Sequence, residues 1–183
     1  NNKDKILGIG EIGLDYHYGK EDRILQIEVF KKQLVIAKKY NLPVVIHTRD
    51  AMQETYDILK NSGVKGIVHC FSGSKEMADK FIELGFYLGI GGVVTFSNSK
   101  LGDVVKEIDL SHIVLETDSP YLSPFRGEKN EPKNIKIIAE KIASIKDMGF
   151  DDVAKITSNN VIRLFDLNDK IWYYFSSWGD LFW

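Results

Sequence analysis

The sequence predicts an α/β fold with a parallel sheet, of the TIM-type (β/α) barrel class, and two observations carry this prediction. Short, β-branched apolar runs alternate with segments whose apolar residues recur at helical spacing, as in parallel βα units. Four of these runs lead into a residue that can bind a metal: Glu11, His47, His69 and Asp118. TIM barrels place catalytic groups at the carboxyl ends of their strands. This pattern therefore favours a barrel over an open doubly wound sheet, for which the glycine-rich phosphate-binding turn after strand one is missing.

Five strands and five helices are predicted in alternation. The strands cover residues 6–10, 43–47, 65–70, 86–94 and 111–117, and the helices cover residues 24–38, 52–59, 77–82, 135–145 and 151–165. Ser74 is the predicted N-cap of the third helix, because its hydroxyl precedes the helical pattern. A complete (β/α)8 barrel has eight strands in about 250 residues. The 183 residues are therefore expected to form only the last five βα units, with the deficit at the front.

Composition limits the classes of function and the compartment. A net charge of -2 provides no broad cationic surface, so a nucleic-acid partner would be held locally. The single cysteine, Cys70, excludes an internal disulfide framework and suits a reducing compartment, so a cytoplasmic or nuclear location is expected. No apolar run approaches the ~20 residues of a membrane span. The chain does not begin with Met, so the absence of a targeting segment carries no weight.

The four strand-end residues are interpreted as metal ligands because they share a position rather than a local spacing. Imidazole and carboxylate ligands suit Zn²⁺, Mn²⁺, Mg²⁺ or iron. A single histidine after a strand is more often a hydrogen-bonded residue than a ligand, but four such coincidences favour a metal centre.

Four further residues near the strand ends have two interpretations each or a supporting role. Arg49 would clamp a phosphate or carboxylate, or form a salt bridge with Asp50 or Asp15. Glu116 shares strand parity with Asp118 and is expected to hydrogen-bond a metal-bound histidine. Asp15 lies in the first loop, where it would contact the substrate or a metal-bound residue, or would only cap a turn. Cys70 follows His69 and is expected on the opposite face, as a small buried apolar residue.

Four motifs resemble the TatD family of metal-dependent deoxyribonucleases, and they appear in the order of the family. They are GEIGLDY at 10–16, PVVIHTRDA at 43–51, HCFSG at 69–73 and ETDSPYL at 116–122, and NNVIRLF at 159–165 is similar to the closing helix. The resemblance implies a metal-dependent hydrolase barrel that cleaves DNA phosphodiesters with two divalent ions, often as a 3′-to-5′ exonuclease. It implies that Glu11 bridges both ions, that His47 and His69 bind one, and that Asp118 binds the other and handles the proton of the attacking water.

The chain also departs from the family pattern. The His-x-His motif of the first family strand is absent, which implies that the ion site beside Asp118 is incomplete and that Glu11, His47 and His69 bind the first ion. Residues 1–168 are therefore interpreted as a partial hydrolase barrel, and residues 169–183 as an aromatic tail outside the family pattern, which holds all three Trp. The alternatives are a metal-dependent amidohydrolase and a non-catalytic fragment. Unpaired strand edges are expected to promote association with other chains.

Overall fold

A computed structural model of the chain describes residues 6–167, over which five strands alternate with six α-helices. The elements are β1 (Ile9–Asp15), α1 (Arg23–Tyr40), β2 (Val44–Arg49), α2 (Met52–Leu59), β3 (Gly66–Val68), α3 (Lys75–Glu83), β4 (Tyr87–Ile90), α4 (Leu101–Glu107), β5 (Ile113–Leu115), α5 (Ile135–Lys146) and α6 (Phe150–Leu164). Short 3₁₀ helices cover Gly92–Thr95, Leu110–His112 and Pro132–Asn134. Residues 169–183, the predicted aromatic tail, lie outside the described residues.

The five strands form one parallel sheet in the order β1-β2-β3-β4-β5. Each strand is therefore connected to the next strand in the sheet, and every connection advances in the same direction across the sheet. Because such crossovers are right-handed, they place the connecting helices on one face of the sheet. A doubly wound sheet would reverse the strand order at a switch point. The order thus fits five consecutive units of a TIM-type barrel, in which β1 and β5 are the two outer strands of the described sheet.

The core lies between the sheet and the helices. Alternate strand residues face the helices and are buried, while the residues between them face the other side of the sheet. The fully buried side chains of this core include Leu14, Ile46, Leu88 and Ile113 from the strands and Phe30, Phe81, Ile138 and Ile142 from the helices. The strand residues between these buried positions face away from the helices, and near the strand ends they include polar side chains such as His47.

β1 differs from the prediction, because the strand does not end at Glu11 but continues to Asp15. Ile9 pairs with Val44 and Ile12 with Ile46, so β1 holds one extra residue at this point and is bulged. Gly10 and Glu11 together lie opposite Val45. A Cβ at residue 10 would lie 2.7 Å from the Val45 Cβ, so the position requires glycine. The bulge directs Glu11 to the face of the sheet that carries His47.

Further along the chain, β3, β4 and β5 are shorter than predicted, and one helix was not predicted. β4 ends at Ile90 rather than at residue 94. Beyond its end the loop after β5 approaches closely, because a Cβ on Gly92 would lie 1.9 Å from the Leu122 carbonyl oxygen. α4 was not predicted, since its seven residues are too few to show helical periodicity. The Ser74 hydroxyl accepts a hydrogen bond from the Met77 N–H at 3.3 Å, which confirms the predicted N-cap. Within residues 6–167, no helix has the length and apolar character needed to cross a membrane.

Candidate metal centre

The first polar cluster lies on β1 and β2, where the His47 ring stands between two carboxylates. Its Nδ1 lies 2.7 Å from the Glu11 Oε1 and its Nε2 lies 2.9 Å from the Asp15 Oδ2. Gly13 pairs with His47 across the two strands, and a Cβ on Gly13 would lie 1.9 Å from the His47 carbonyl oxygen. The glycine thus permits the close strand approach that brings both carboxylates to one imidazole.

Asp15 takes part in this cluster more closely than the sequence predicted. Its Oδ1 does accept the His17 N–H at 2.9 Å, as in the predicted turn cap, but its Oδ2 faces His47. The side chain of Gln26 on α1 brackets the Asp15 backbone, accepting from its N–H at 2.8 Å and donating to its carbonyl at 2.9 Å. Partial burial alone would raise the pKa of Asp15, but the hydrogen bonds from the His17 N–H and His47 hold it below its usual value. Asp15 is thus a carboxylate ligand candidate.

The second polar cluster joins the ends of β3 and β5. The Nδ1 of His69 is hydrogen-bonded to the Glu116 Oε2, and its Nε2 lies 3.3 Å from the Asp118 Oδ1. The second oxygen of Glu116 accepts the Cys70 N–H at 2.5 Å. Glu116 can therefore orient the His69 ring through the Nδ1 atom, which leaves the Nε2 atom free to bind an ion. A Cβ on Gly89 would lie 2.1 Å from the Glu116 Oε1, so only glycine leaves space for this carboxylate.

Cys70 does not point away from His69, contrary to the sequence prediction. β3 ends at Val68, and Cys70 has a positive φ of 46°, so the alternation of a strand no longer applies at this residue. The His69, Cys70 and Asp118 side chains each offer a ligand atom, and these atoms lie within 4.8 Å of one another. Burial raises the pKa of the Cys70 thiol. A turn at the end of a short strand thus adds a sulfur atom to the cluster.

The sequence prediction grouped Glu11 with His47 and His69 around one ion. The His69 N–H donates to the Ile46 carbonyl at 2.9 Å, so the two histidines lie side by side on neighbouring strands. Glu11 contacts His47, in line with this grouping, and the carboxylate of Asp118 contacts His69. Among residues 6–167, three ligand atoms lie within 4.8 Å of one another only at His69, Cys70 and Asp118.

Asp118 is held in place by a buried amide that the sequence analysis did not find. Asp118 has a positive φ of 58°. The Asn130 side chain, which is 3% exposed, donates to the Thr117 carbonyl at 2.5 Å and to the Tyr121 carbonyl at 2.8 Å. Its own oxygen accepts the Asn134 side-chain N–H at 2.9 Å. Asn130 therefore fixes the chain on both sides of Asp118, and no local pattern at residue 130 signals this long-range role.

Arg49 ends β2 beside the first cluster, and its guanidinium lies 5.7 Å from the centre of the Tyr18 ring. Over residues 6–167, no carboxylate oxygen lies within 4.0 Å of Arg49, and Asp50 instead faces His17 at 3.2 Å. The salt bridge to Asp50 or Asp15 that the sequence analysis weighed is therefore not formed in the described part of the chain. Arg49 keeps its donors available for an anion at the same edge of the sheet.

The metal-free cluster around His69 predicts a dependence of stability on pH. The contacts of His69 with Cys70 and Glu116 raise the pKa of His69 to about 11, against the opposing effect of burial. The folded protein thus keeps a proton that the unfolded chain loses above pH ~6.5. The stabilisation is complete below that pH and is lost as the pH rises towards 11, with a limiting slope of about -1.4 kcal/mol per pH unit for one proton.

Urea unfolding of the metal-stripped protein at several pH values between 6 and 10 measures this slope. We expect Glu116→Gln to flatten the fall in the free energy of unfolding, since the neutral amide does not hold the proton on His69. Equal slopes in the two proteins would show that the His69–Glu116 contact does not control this proton.

The fold and these clusters define a class: parallel βα units with imidazole and carboxylate groups at the carboxyl ends of the strands. The chain belongs to the TatD related DNase family, whose model matches residues 1–166. It is 48% identical over 171 residues to the uncharacterized metal-dependent hydrolase YabD of Bacillus subtilis. The alignment covers 90% of this chain and 67% of YabD. It is 37% identical over 170 residues to the deoxyribonuclease TATDN3 of Homo sapiens, and this alignment covers 90% of the chain and 62% of TATDN3.

The fold agrees with a solved structure of the same family. The crystal structure of YJJV, a TatD homolog from Escherichia coli, matches with a TM-score of 0.84 and 32% identity, over 89% of this chain and 65% of that one. The chain thus spans about two thirds of the length of the relatives it matches. The prediction of a TIM-type hydrolase fold is confirmed.

Proposed function

We propose that this chain carries the catalytic site of a divalent-metal-dependent hydrolase that cleaves DNA phosphodiesters and removes nucleotides from the 3′ end. The observation that carries the proposal is the meeting of two imidazole–carboxylate clusters at one edge of the sheet, around His47 and His69, with Arg49 beside them. The family description and the name of the human relative, a deoxyribonuclease, support DNA as the substrate.

The donors at this edge fit divalent cations, because they combine carboxylate oxygens with imidazole nitrogens. Glu11, His47 and Asp15 would hold one ion, and His69 with Asp118 a second. Bound there, divalent ions would polarise the phosphodiester and lower the pKa of water. The two clusters thus provide for the pair of ions that the proposal requires.

Asp118 has the role of general base in this proposal. Its carboxylate is partly exposed, at 31% of the side chain, and it can accept the proton of the attacking water. Asn130 holds the backbone on both sides and so limits the positions that the carboxylate can take. Arg49 would bind a phosphate oxygen with paired hydrogen bonds and orient the DNA backbone. Since the net charge is -2, this local contact replaces a cationic surface.

A single-stranded oligonucleotide labelled at its 5′ end tests the proposal directly. With Mg²⁺, Mn²⁺ or Zn²⁺, we expect products that shorten one nucleotide at a time, and no cleavage when a chelator is present. Internal cuts would contradict the 3′-end mode of action. Hydrolysis of amide substrates without DNA cleavage would replace the proposal with an amidohydrolase. Binding of DNA without any cleavage would identify a non-catalytic chain.

Arg49→Ala is expected to weaken DNA binding about tenfold, because a hydrogen bond to a charged group contributes about 1.5 kcal/mol. Fluorescence anisotropy of a labelled oligonucleotide measures the dissociation constant. Arg163→Ala is the matched control, since Arg163 lines a cavity with Pro43, Lys65 and Phe86, at the opposite ends of the strands. Equal effects of the two substitutions would show that Arg49 contributes only general charge.

A further inference from the structure

We infer that the Tyr18 ring, in the loop that follows β1, is a platform on which a nucleobase of the bound DNA stacks, beside the phosphate that Arg49 holds. The inference rests on the proposed function, since it concerns how the same site holds its DNA. Tyr18 is a large aromatic side chain, yet it is 89% exposed. Its loop begins directly after Asp15, at the edge of the sheet that carries both polar clusters.

The loop that carries Tyr18 is attached to the end of β2 by two contacts. The Tyr16 N–H donates to the Arg49 carbonyl at 2.9 Å. The His17 Nδ1 lies 3.2 Å from the Asp50 Oδ2. These contacts fix the two residues before Tyr18, so the binding of a base to its ring requires little further ordering of the loop.

Two neighbouring side chains orient the Tyr18 ring and leave much of it open. The His17 ring makes a T-shaped contact with it, with ring centroids 4.9 Å apart and an interplanar angle of 81°. The Arg49 guanidinium lies 5.7 Å from the centre of the Tyr18 ring, within the range of a cation–π contact. Because the side chain stays largely exposed beside both groups, a face of the ring is accessible to a base.

The charge of the protein favours a binding contact of this kind. A net charge of -2 supplies few phosphate contacts, and the electrostatic part of the affinity for DNA grows with their number. Stacking on an aromatic ring adds affinity that does not depend on phosphate charge, and it accepts any base because every base has a π face. The neighbouring Tyr18 and Arg49 thus provide for a base and a phosphate of the same strand.

A comparison of two oligonucleotides tests the inference. One is a thymine oligonucleotide, and the other has the same length and charge but carries an abasic residue in place of every nucleotide. Phosphorothioate linkages protect both from cleavage, and fluorescence anisotropy measures the dissociation constants in the presence of Mg²⁺. We expect Tyr18→Ala to weaken binding of the thymine oligonucleotide about tenfold, as for the loss of one stacked base, and to leave binding of the abasic one unchanged. Tyr18→Phe should bind both as the unmodified chain does, because stacking uses the ring rather than the hydroxyl.

Tyr40→Ala is the matched control, because Tyr40 is also an exposed tyrosine beside a cation. Tyr40 ends α1, at the amino ends of the strands, and the Lys39 Nζ lies 5.4 Å from the centre of its ring. This variant should bind both oligonucleotides as the unmodified chain does. The inference is overturned if Tyr18→Ala weakens binding of both oligonucleotides equally, since the ring would then act only by holding Arg49, or if it weakens neither.

The dependence of binding on salt provides a second readout. For a single strand, each phosphate contact contributes about 0.7 to the slope of the logarithm of the binding constant against the logarithm of the salt concentration. Arg49→Ala should reduce this slope by about 0.7, whereas Tyr18→Ala should leave it unchanged, and a reduced slope in Tyr18→Ala would overturn the inference. Neither readout requires cleavage, so a chain that binds the thymine oligonucleotide through Tyr18 without cutting DNA would contradict the proposed hydrolysis alone. An unmodified chain that bound neither oligonucleotide would overturn DNA as the substrate and this inference with it.

Discussion

Asp118→Asn is expected to lower DNA cleavage about a thousandfold, within the range for the loss of a general base. Asparagine keeps the shape of the side chain but cannot accept the proton of the attacking water. The free energy of unfolding should change by less than about 0.5 kcal/mol, as is usual for a partly exposed side chain outside the core. Single-turnover cleavage of a labelled oligonucleotide, together with urea unfolding, separates the two effects.

The matched control makes the same chemical change at a carboxylate remote from the centre. Asp79 lies on α3 and pairs with Lys75 four residues away. Asp79→Asn should leave cleavage unchanged, because an exposed pair of this kind contributes little. If Asp118→Asn retained more than a tenth of the activity, Asp118 could not be the general base.

The second large effect is expected for Asn160→Ala, which should lower the free energy of unfolding by about 2–4 kcal/mol. The Asn160 side chain on α6 is 2% exposed and donates hydrogen bonds of 2.7 Å to the Leu110 and Ile113 carbonyls. Alanine would leave both buried carbonyls without this donor, and each unsatisfied buried group costs about 1–3 kcal/mol. The denaturation midpoint in urea measures the loss.

Asn159→Ala is the control, because it makes the same substitution at the preceding position of the same helix. Asn159 is half-buried, and its substitution should cost less than about 0.5 kcal/mol. Since Asn160 ties α6 to the start of β5, its loss should also increase amide hydrogen exchange along β5. Equal destabilisation by the two substitutions would contradict the anchoring role of Asn160.

Much of the site could be predicted from the sequence because parallel strands follow one simple rule. Polar residues near the carboxyl ends of buried strands meet at one edge of the sheet, and His47, His69 and Asp118 obey this rule without knowledge of any contact. Glu116 could be anticipated as well, because residues two apart on a strand share a face, and it lies against His69 in the structure. The first of these predictions used only the position of strand ends, and the second used only the periodicity of two along a strand.

The sequence predictions were wrong where that periodicity fails. The bulge in β1 moves Glu11 inside the strand, and the left-handed turn after β3 brings Cys70 to the side of His69. Both features depend on backbone angles that neighbouring strands impose. The roles of Asn130 and Asn160 rest on carbonyls far along the chain, and a local pattern cannot reveal such partners.

The sequence by itself determined the class of fold, the family and the candidate residues Glu11, His47, His69 and Asp118, because alternation of apolar runs and polar residues is a local property. Only the tertiary structure decided which of those residues touch. It divided them between the pair Glu11–His47 and the pair His69–Asp118, and it added Asp15 and Cys70 to them. The physical reason is that strand register and turn geometry, rather than spacing along the chain, set the distances between side chains.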